Sequence, residues 1–417
     1  MAHATNVGSC GAQGHRTVQA QAMSPARAPA GGGSHERARR VLIAGAGVAA
    51  LEAVLALRHL AGARVSVDVL APTPDFVLRP FSVLEPFGEG RVPRLSLGGV
   101  VREFGAGHVF DGVAAVEPAR HVVRAVSGDE YGYDALIVAT GARAVDALPG
   151  ALTFPGQGAA ARFRELLGEL ERGEVRELVF AVPDGTGWAL PLYELALLTA
   201  AWLFERRVAD VRLTVVTPET AALAAFGDSA SETVAALLER HGVELRRAVS
   251  PCAVRDGALL LSDGLTCPAE RVVALARLEG PALPGLPGDP DGFVPVDAHG
   301  RVPGVEDVYA AGDVTTWPIK QGGLAAQQAD AVAESLAAWA GAPVRPTAFR
   351  PVLRGVLLGG ERPAFLRSDP RPHCSGSIAR LTPLWWPPAK VAGRYLAPYL
   401  AARGIAVPEA GTHAGGA

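Results

Sequence analysis

Near the end of the chain, a short apolar strand stops at a glycine followed by an acid. The segment reads Val308-Tyr-Ala-Ala-Gly-Asp313, and a Gly-Gly pair then opens a predicted helix from about Leu324. Such a strand end places the carboxylate of Asp313 beside a bound ligand, and the free N–H groups at a helix start attract anionic or electron-rich groups. Taken alone, the pattern is as typical of a strand–turn–helix corner with a capping acid.

A second motif, far upstream, combines a strand, a glycine-rich turn and a helix. The apolar strand from Val41 runs into Gly45-x-Gly47-x-x-Ala50, which opens a helical pattern. The first glycine allows a tight turn, the second lets the backbone approach a diphosphate, and Ala50 permits close packing of helix on strand. The motif indicates a dinucleotide-binding loop.

A third motif is the buried strand Tyr133-Asp-Ala-Leu-Ile-Val-Ala-Thr-Gly141, which ends in Ala-Thr-Gly. In this order, the three motifs resemble those of FAD-dependent pyridine-nucleotide oxidoreductases that have two dinucleotide domains. The resemblance extends from about Val41 to Ala338. It implies an α/β fold with two Rossmann-like three-layer domains, one inserted in the other, a small C-terminal cap, and one FAD bound non-covalently.

The resemblance also implies which residues surround the cofactor. Those in contact with FAD are Gly45, Gly47, Ala50, Arg79, Val113, Ala139, Thr140, Gly141, Gly312, Asp313, Gly323 and Leu324, although Arg79 is equally typical of a surface residue before a turn. Catalytic roles fall to Lys320, whose charge would stabilise the reduced flavin, and to Gln328 on the helix that follows. Family members usually carry an acid after the second strand for the adenosine ribose, whereas this chain has Ala71. No metal site is predicted.

The composition limits the possible functions. The chain has 417 residues, which is long enough for two or three domains. Its formal charge of −3 lacks the basic excess of a nucleic-acid-binding protein. Four cysteines are too few for a disulfide scaffold, which fits a reducing compartment. Since there is no signal-peptide pattern and no run of about 18 apolar residues, we expect a cytoplasmic protein, or one held peripherally at the inner face of the membrane.

Changes in composition and pattern predict five regions. They are a disordered tail (1–40), the first part of the FAD domain (41–150), an inserted NAD(P)-binding-like domain (151–286), the second part of the FAD domain (287–340) and a C-terminal cap (341–417). The tail is rich in Gly, Ala, Ser and Pro and has no hydrophobic periodicity.

The predicted second dinucleotide loop departs from the expected pattern. After the strand Glu177–Val182, the chain continues Pro-Asp-Gly-Thr-Gly-Trp in place of a full G-x-G-x-x-G. Pro183 and the bulky Trp188 crowd the path of a diphosphate, and the carboxylate of Asp184 repels it. NAD(P)H is therefore a doubtful cofactor. If it binds, Glu219 is the candidate for its ribose, although a solvated turn is the simpler interpretation of that residue.

The C-terminal cap ends in an aromatic and basic segment, Leu384–Leu400. Apolar residues recur there at helical spacing among Lys390 and Arg394, which predicts a turn followed by an amphipathic helix. In sulfide:quinone oxidoreductases and type II NADH dehydrogenases, which share the upstream motifs, this region closes the far face of the flavin, attaches to membrane and admits quinone. Packing of the helix on the body of the protein, or on a second subunit of a homodimer, is equally consistent with the pattern.

The cysteine pattern restricts the route of the electrons. No C-x-x-C or C-x4-C occurs, and no cysteine lies between Gly141 and Glu177, so dithiol chemistry and cysteine-bridged sulfide oxidation are disfavoured. The segment Lys320–Ala329 nevertheless resembles that of sulfide:quinone oxidoreductases more closely than that of type II NADH dehydrogenases. We expect two-electron transfer from NAD(P)H, as the working donor, to a quinone or a small redox protein. The alternatives are a sulfide:quinone oxidoreductase-like protein without the cysteine pair, and a non-catalytic FAD-binding redox sensor or scaffold.

Overall fold

The computed structural model describes residues 37–88, 91–155, 158–359, 362–371 and 374–407, with no description of the side chains at 370, 371, 374 and 375. Most of the predicted tail, residues 1–36, lies outside this description. Its last residues, Arg39 and Arg40, begin the first strand, two positions earlier than predicted.

A five-stranded parallel sheet carries the first glycine motif. Its strand order is β20-β9-β1-β2-β5, with Ile43 of β1 opposite Val69 of β2 on one side and Ile137 of β9 on the other. The strands of this sheet are β1 (Arg39–Ala44), β2 (Val65–Leu70), β5 (Gly107–Val109), β9 (Ala135–Val138) and β20 (Val308–Ala310). Strand β20 comes much later in the chain than its neighbour β9, so the first sheet is assembled from two separate parts of the sequence.

Smaller elements complete this first part of the chain. Three of them, β6, β7 and β8, form an antiparallel meander beside the main sheet, whose edge strand is β5. The elements are α1 (Val48–Leu60), β3 (Asp75–Val77), β4 (Arg94–Ser96), α2 (Leu97–Glu103), β6 (Val113–Glu117), β7 (Val122–Ala125), β8 (Glu130–Gly132), β10 (Arg143–Val145) and a 3-10 helix (Arg79–Phe87).

A second five-stranded parallel sheet lies between the two parts of the first, as predicted. Its order is β11-β18-β12-β13-β14. Its elements are β11 (Leu152–Phe154), α3 (Ala159–Glu171), β12 (Glu177–Ala181), α4 (Leu190–Glu205), β13 (Arg212–Val216), α5 (Asp228–Arg240), β14 (Val243–Arg246), an antiparallel trio β15 (Pro251–Arg255), β16 (Ala258–Leu261) and β17 (Thr266–Pro268), and β18 (Arg271–Leu275). Strand β19 (Arg277–Glu279) then pairs with β10. The architecture is the expected α/β fold with two Rossmann-like domains. The exact domain limits remain a prediction.

The rest of the described chain is a long helix and a small antiparallel sheet, β21-β22-β25. The elements are α6 (Gly322–Trp339), β21 (Leu353–Leu357), β22 (Ala364–Ser368), β23 (Pro370–Arg371), β24 (Cys374–Ser375), β25 (Ile378–Arg380) and α7 (Leu396–Ala401). Helices α1 and α6 pack side by side, and their buried faces are mostly alanine, leucine and valine. Small side chains let two helix starts approach one edge of the first sheet. In the described part of the chain, no helix is both long and apolar enough to span a membrane.

Within Leu384–Leu400, the predicted turn followed by an amphipathic helix is confirmed only in its last part, since the helix forms at Leu396–Ala401. The apolar residues that recur at helical spacing are all buried, so they pack on the body of this chain. They are Val391, Tyr395, Leu396, Tyr399 and Leu400. Lys390 is also buried, whereas a solvent-facing base was expected. The tandem prolines after Trp386, together with Gly393, explain why helix does not extend further back.

Candidate active site

The first glycine loop joins β1 to α1 at the carboxyl edge of the first sheet. Gly45 has φ +129°, and a Cβ built on it would overlap the carbonyl of Ala139, so no larger residue fits. Gly47 is the N-cap of α1, and no atom lies within 4 Å of a Cβ built there. The first turn of α1 contains no acidic side chain. Open space beside free helix N–H groups is what a diphosphate requires.

Two other predicted strand ends meet this loop. Ala139 donates its N–H to the carbonyl of Ala44 (2.7 Å), and Gly141 follows it with φ +76°. Gly312, with φ +85°, lies between the starts of α1 and α6, because a Cβ built on it would come within 3.1 Å of Ala49 and 3.4 Å of Ala325. The three motifs, far apart in sequence, therefore converge on one site.

The side chain of Asp313 projects from this junction and is largely buried. Burial raises the pKa of the Asp313 carboxyl above its usual range, while the positive charges of Lys320 and Arg79 oppose the shift. Arg79 itself is exposed at the start of its 3-10 helix. These three charges, predicted separately from the sequence, thus lie close enough to interact.

Lys320 lies beside the same junction and is half-buried. Its Nζ donates to the carbonyl of Thr315 and lies 3.7 Å from the centre of the Phe293 ring. Burial lowers the pKa of Lys320 to about 8, against the opposing effect of Asp313 and Asp289. The amine is therefore mostly charged at neutral pH and becomes neutral only a little above it.

Gln328 holds the turn that carries Asp313. Its Oε1 accepts the N–H of Gly312 (2.7 Å), and its Nε2 donates to Oγ1 of Thr315 (3.3 Å), which in turn donates to the carbonyl of Gly312 (2.9 Å). Both ends of the amide are thus engaged by the protein. The predicted catalytic role of Gln328 is therefore better described as positioning of this turn.

The start of α6 differs from its prediction at one donor. The N–H of Leu324 was expected to face the flavin, but it donates to the side-chain Oε1 of Gln321 (2.9 Å), which caps the helix. A Cβ built on Gly323 would also lie 3.0 Å from that oxygen. The backbone N–H of Leu324 is therefore not free to donate to a ligand.

Two further positions considered for the adenosine end of the cofactor lie at the end of β2 and at the start of β6. Ala71, at the end of β2, is buried and donates its N–H to the carbonyl of Val109 (3.0 Å). Val113 begins β6, opposite Ala125 and next to an irregularity in the strand pairing. No carboxylate occupies the position of Ala71, so the usual ribose contact through that residue is absent.

At Gly187, the second glycine loop is in close contact with another part of the protein, whereas Gly185 has open space around it. A Cβ built on Gly187 would lie 2.7 Å from the carbonyl of Pro318 and 2.9 Å from Lys320. The Trp188 ring packs against Phe226, with ring centres 5.6 Å apart. These contacts restrict the space at Gly187, and the predicted crowding by Pro183 and Trp188 stays a prediction.

Glu219 is neither a free ribose ligand nor a solvated turn residue. It accepts hydrogen bonds from the hydroxyl of the buried Tyr193 (2.7 Å), from Oγ1 of Thr217 (3.2 Å) and from the N–H of Ala224 (3.2 Å). Burial raises the pKa of the Glu219 carboxyl. Both of its oxygens are engaged internally, which sequence alone did not indicate.

The small C-terminal sheet covers the adjoining edge of the second sheet. A Cβ built on Gly355 of β21 would lie 2.6 Å from Phe226 and 2.9 Å from Leu190, at the start of α4. Nearby, Oγ of Ser377 accepts the N–H of Ala230 in the first turn of α5 (3.2 Å). The starts of both helices are therefore in contact with the C-terminal strands of the same chain.

A buried ion pair fastens the C-terminal segment to α4. Lys390 is paired with Glu194, and both side chains are almost fully buried. The N–H of Leu358 donates to Glu194 (2.8 Å), and Lys390 also donates to the carbonyl of Val356 (3.1 Å). The sequence signal was weak, because Lys390 was assigned to a solvent-facing helix surface and Glu194 to an ordinary helix.

The described cysteines offer no thiol pair near these loops. Cys252 is exposed and Cys267 is buried, and both lie in the antiparallel trio of the second sheet's region. Burial raises the pKa of the Cys267 thiol, which keeps it protonated. Cys10 and the side chain of Cys374 lie outside the described residues. Within those residues, no group of three or more His, Cys, Asp or Glu side chains could hold a metal ion.

Comparisons with known proteins agree with this geometry. The family model described as pyridine nucleotide-disulphide oxidoreductase matches residues 39–180 and 194–333, more than half of the chain. An NADH dehydrogenase-like protein of Mycobacterium tuberculosis, present in two strains, is 30% identical over 294 residues in one of them, covering 66% of this chain and 72% of the relative.

Solved structures show the same fold at lower identity. The sulfide:quinone oxidoreductase of Aquifex aeolicus has a TM-score of 0.75 and 21% identity, covering 82% of this chain and 87% of that one. A ferredoxin reductase of Rhodopseudomonas palustris has a TM-score of 0.59 and 19% identity over 79% and 81%. NDH2 of Plasmodium falciparum in complex with NADH has a TM-score of 0.55 and 14% identity over 67% and 65%.

The residues present fit the cofactor of this family. Gly45 and Gly312 leave no room for side chains where backbone must approach closely, and Gly47 leaves open space at a helix start. The chain belongs to the pyridine nucleotide-disulphide oxidoreductase family and is an FAD-dependent oxidoreductase.

Proposed function

We propose that the chain passes two electrons through bound FAD to a quinone or a small redox protein. The observation that carries the proposal is the convergence of the Gly45, Gly141 and Gly312 turns beside two charged side chains, Asp313 and Lys320. When bound, FAD supplies the redox chemistry, and the protein supplies binding, orientation and electrostatics.

The residues of this chain would divide that work. The N–H groups at the start of α1 would hold the diphosphate, and Asp313 would accept a hydrogen bond from a cofactor hydroxyl. Lys320 would place a positive charge where negative charge accumulates on reduction, in a half-buried setting that strengthens the interaction. Gln328 would keep Asp313 in place.

The donor is the finer part of the proposal. NAD(P)H remains compatible with the fold and with the names of the relatives. However, Gly187 of the second glycine loop is in close contact with Pro318 and Lys320, Glu219 is bonded internally, and the C-terminal segment contacts the starts of α4 and α5. We infer that NAD(P)H binds this domain weakly and that the physiological donor reaches the flavin by another route.

A redox sensor or scaffold is the second candidate function, and the internal contacts of the second dinucleotide domain favour it. If that domain binds no electron donor, the flavin is not reduced fast enough to support catalysis. The two candidates differ in whether reduced flavin is reoxidised by an acceptor.

An exposed aromatic surface supports contact with a membrane or a partner. Trp386 is 81% exposed, and Leu381 and Ile378 are also exposed nearby in the chain, with Arg380 between them. Tryptophan and basic side chains favour the membrane interface. We propose peripheral contact through this surface. Flotation with anionic vesicles tests it, with Trp386→Ala expected to reduce binding, and a homodimer through the same surface would instead appear as a change in mass in solution.

The function itself is tested by following the flavin without oxygen. The purified protein, containing about one FAD per chain, would be photoreduced and then mixed with a water-soluble quinone or with ferredoxin. We expect reoxidation at a rate that saturates with acceptor concentration and is slowed in Lys320→Met. A reduced flavin that persists with every acceptor would contradict the oxidoreductase proposal and support the sensor.

A further inference from the structure

Two acidic side chains meet where α1 and α6 contact the C-terminal segment. Glu52 lies on α1 and is fully buried, and Asp330 faces it from α6. The Oδ1 atom of Asp330 is buried and has no hydrogen-bond partner among the described residues. The proposed electron route uses neither residue, and two facing carboxyl groups in a buried place cannot both be charged cheaply.

The C-terminal segment is folded around the Glu52 carboxylate. Oε1 accepts the N–H of Tyr395 (2.7 Å) and Oε2 accepts the N–H of Leu396 (2.8 Å). A Cβ built on Gly393 would overlap Oε2, so a glycine is needed at that point. We call residues 389–403 the strap, since this segment runs from the Lys390–Glu194 pair, past Glu52, to the end of α7 and beyond.

Other titratable and charged groups around the pair do not neutralise it. Glu334 lies one turn further along α6, and Arg394 of the strap pairs with it (3.2 Å) while remaining largely exposed. The Tyr395 hydroxyl is buried without a partner among the described residues, and its ring packs on His59 of α1 at 5.2 Å. Of the groups named, only Arg394 carries a full positive charge near Glu52, Asp330 and Glu334, and solvent screens it.

The contacts indicate which carboxyl holds a proton. Burial raises the pKa of Asp330 to about 8, and the charge of Glu52 raises it further, whereas burial raises the pKa of Glu52 to about 7 against the N–H groups that favour its charged form. The hydrogen bond between the two side chains raises the pKa of Asp330 and lowers that of Glu52. At neutral pH, the pair therefore retains a proton, mainly on Asp330, while the Glu52 carboxyl accepts from the strap.

We propose that Glu52 and Asp330 form a proton-dependent clasp that holds the strap closed and releases it as the pH rises. Inside the strap, Val391 packs over the start of α6, since its Cγ2 atom lies 3.1 Å from a Cβ built on Gly322, which also lies 3.6 Å from Val48 at the start of α1. Release of the strap uncovers both helix starts. Its effect on access to the flavin rests on the proposed function, whereas the clasp itself does not.

The direction of the pH effect follows from linkage. With the strap open, both carboxyl groups are in water at their ordinary pKa, and with the strap closed they retain protons to higher pH. The equilibrium constant for opening therefore rises with pH by about tenfold per unit for each retained proton, and levels off above the raised pKa of Asp330, about 8.

Hydrogen exchange of the FAD-bound full-length protein tests the clasp. Mass spectrometry would follow peptides covering the strap between about pH 6 and pH 9, after correction for the intrinsic exchange rate. We expect protection of the strap to fall by at least tenfold per pH unit up to about pH 8, more steeply below about pH 7 where Glu52 also retains a proton, and then to level off. Asp330→Asn, whose amide donates as the protonated acid does, should flatten this fall, and Glu334→Gln on the same helix should retain it.

Two results would overturn the clasp. One is strap protection that does not change with pH in the wild-type protein, and the other is an Asp330→Asn profile that follows the wild type. If Asp330→Asn does not fold, the wild-type protein alone still tests the clasp, with helix α5 as the internal reference. The buried residues of α5 include no acid, so its protection should stay constant over the pH range in which protection of the strap falls. Exchange does not depend on electron transfer, so failure of the clasp and failure of the proposed function are separate outcomes.

Discussion

The two dinucleotide folds of this chain have the same plan and different contents. In the first, Gly47 opens α1 beside free space, and the neighbouring strand ends carry Gly141 and Asp313. In the second, Gly187 of the corresponding loop is in close contact with Pro318, Trp188 packs on Phe226, and Glu219 is bonded to Tyr193. The comparison teaches that a strand–glycine–helix unit can persist as a scaffold after its ligand space is filled, so binding has to be argued from open donors and space.

The largest expected effect separates the two glycine loops. Gly45→Ala should lose bound FAD, because its Cβ would overlap the carbonyl of Ala139. Gly185→Ala is the matched control in the second loop: it has φ +72° and open space around its Cβ, so it should cost roughly 1–2 kcal/mol of stability and keep FAD. The ratio of flavin to protein absorbance measures both. Equal loss of FAD in the two variants would contradict the comparison.

Next in size is the buried pair between the second fold and the strap. Lys390→Met leaves the buried Glu194 without its partner and should lower the free energy of unfolding by about 3–5 kcal/mol. The double variant Lys390→Met/Glu194→Leu should recover much of that loss, because it removes both charges. Thermal and denaturant unfolding would measure the difference. A single variant as stable as the wild type would show that the strap is not held there.

A smaller effect is expected from the brace behind Asp313. Gln328→Leu leaves the N–H of Gly312 without a partner and removes the hydrogen bond that Thr315 accepts from the Gln328 amide, which costs about 1–3 kcal/mol. We expect FAD affinity to fall by about 10–100-fold, measured by titrating the apoprotein with FAD. Gln327→Leu, at the adjacent position on the same helix, is the control that should keep the affinity. An unchanged affinity in Gln328→Leu would show that the turn holds without the brace.

The pH dependence of the flavin should report Lys320. Its pKa of about 8 means that the positive charge is present below that pH and lost above it, so reduction should become less favourable as pH rises past about 8. Because the unfolded chain binds more protons between the lowered and ordinary pKa, this group also makes folding more favourable as pH rises in that window. Potentiometric titration of the wild type and of Lys320→Met measures the pH dependence of flavin reduction. If the variant has the same pH profile as the wild type, Lys320 does not set that dependence.

The smallest expected change is a gain in the second fold. Trp188→Ala removes the ring that follows Gly187 and packs on Phe226, while Glu219 remains bonded to Tyr193 and Thr217. We expect only weak binding of NADH, detected by fluorescence quenching, because the ribose contact is still missing. Tight binding in this single variant would show that Trp188 alone closes the site.

The glycine loops could be predicted from sequence because each requirement is local. A left-handed turn or a close backbone approach needs glycine, and the apolar runs around Ile43 and Ile137 specify buried parallel strands. The convergence of Gly45, Gly141 and Gly312 followed from the order of strands typical of this fold.

The buried charges could not be predicted in the same way. Lys390 and Glu194 are 196 residues apart, and only the tertiary fold brings them together. The helical spacing in Leu384–Leu400 correctly identified buried positions and wrongly extended the helix, because Gly393 fits against Glu52 in a bend instead. Glu52 did carry a signal, since it is the one charged residue in the apolar stretch Ala49–Leu57 of α1.

The claim that only the first fold holds a redox cofactor is tested most directly by anaerobic titration. Purified FAD-bound protein would be titrated with NADH and with NADPH while the visible absorbance of the oxidised flavin is followed. We predict that neither nucleotide bleaches the flavin, whereas dithionite does. Stoichiometric bleaching by either nucleotide would contradict this account and establish the second fold as a working nicotinamide site despite Trp188 and the internal bonds of Glu219.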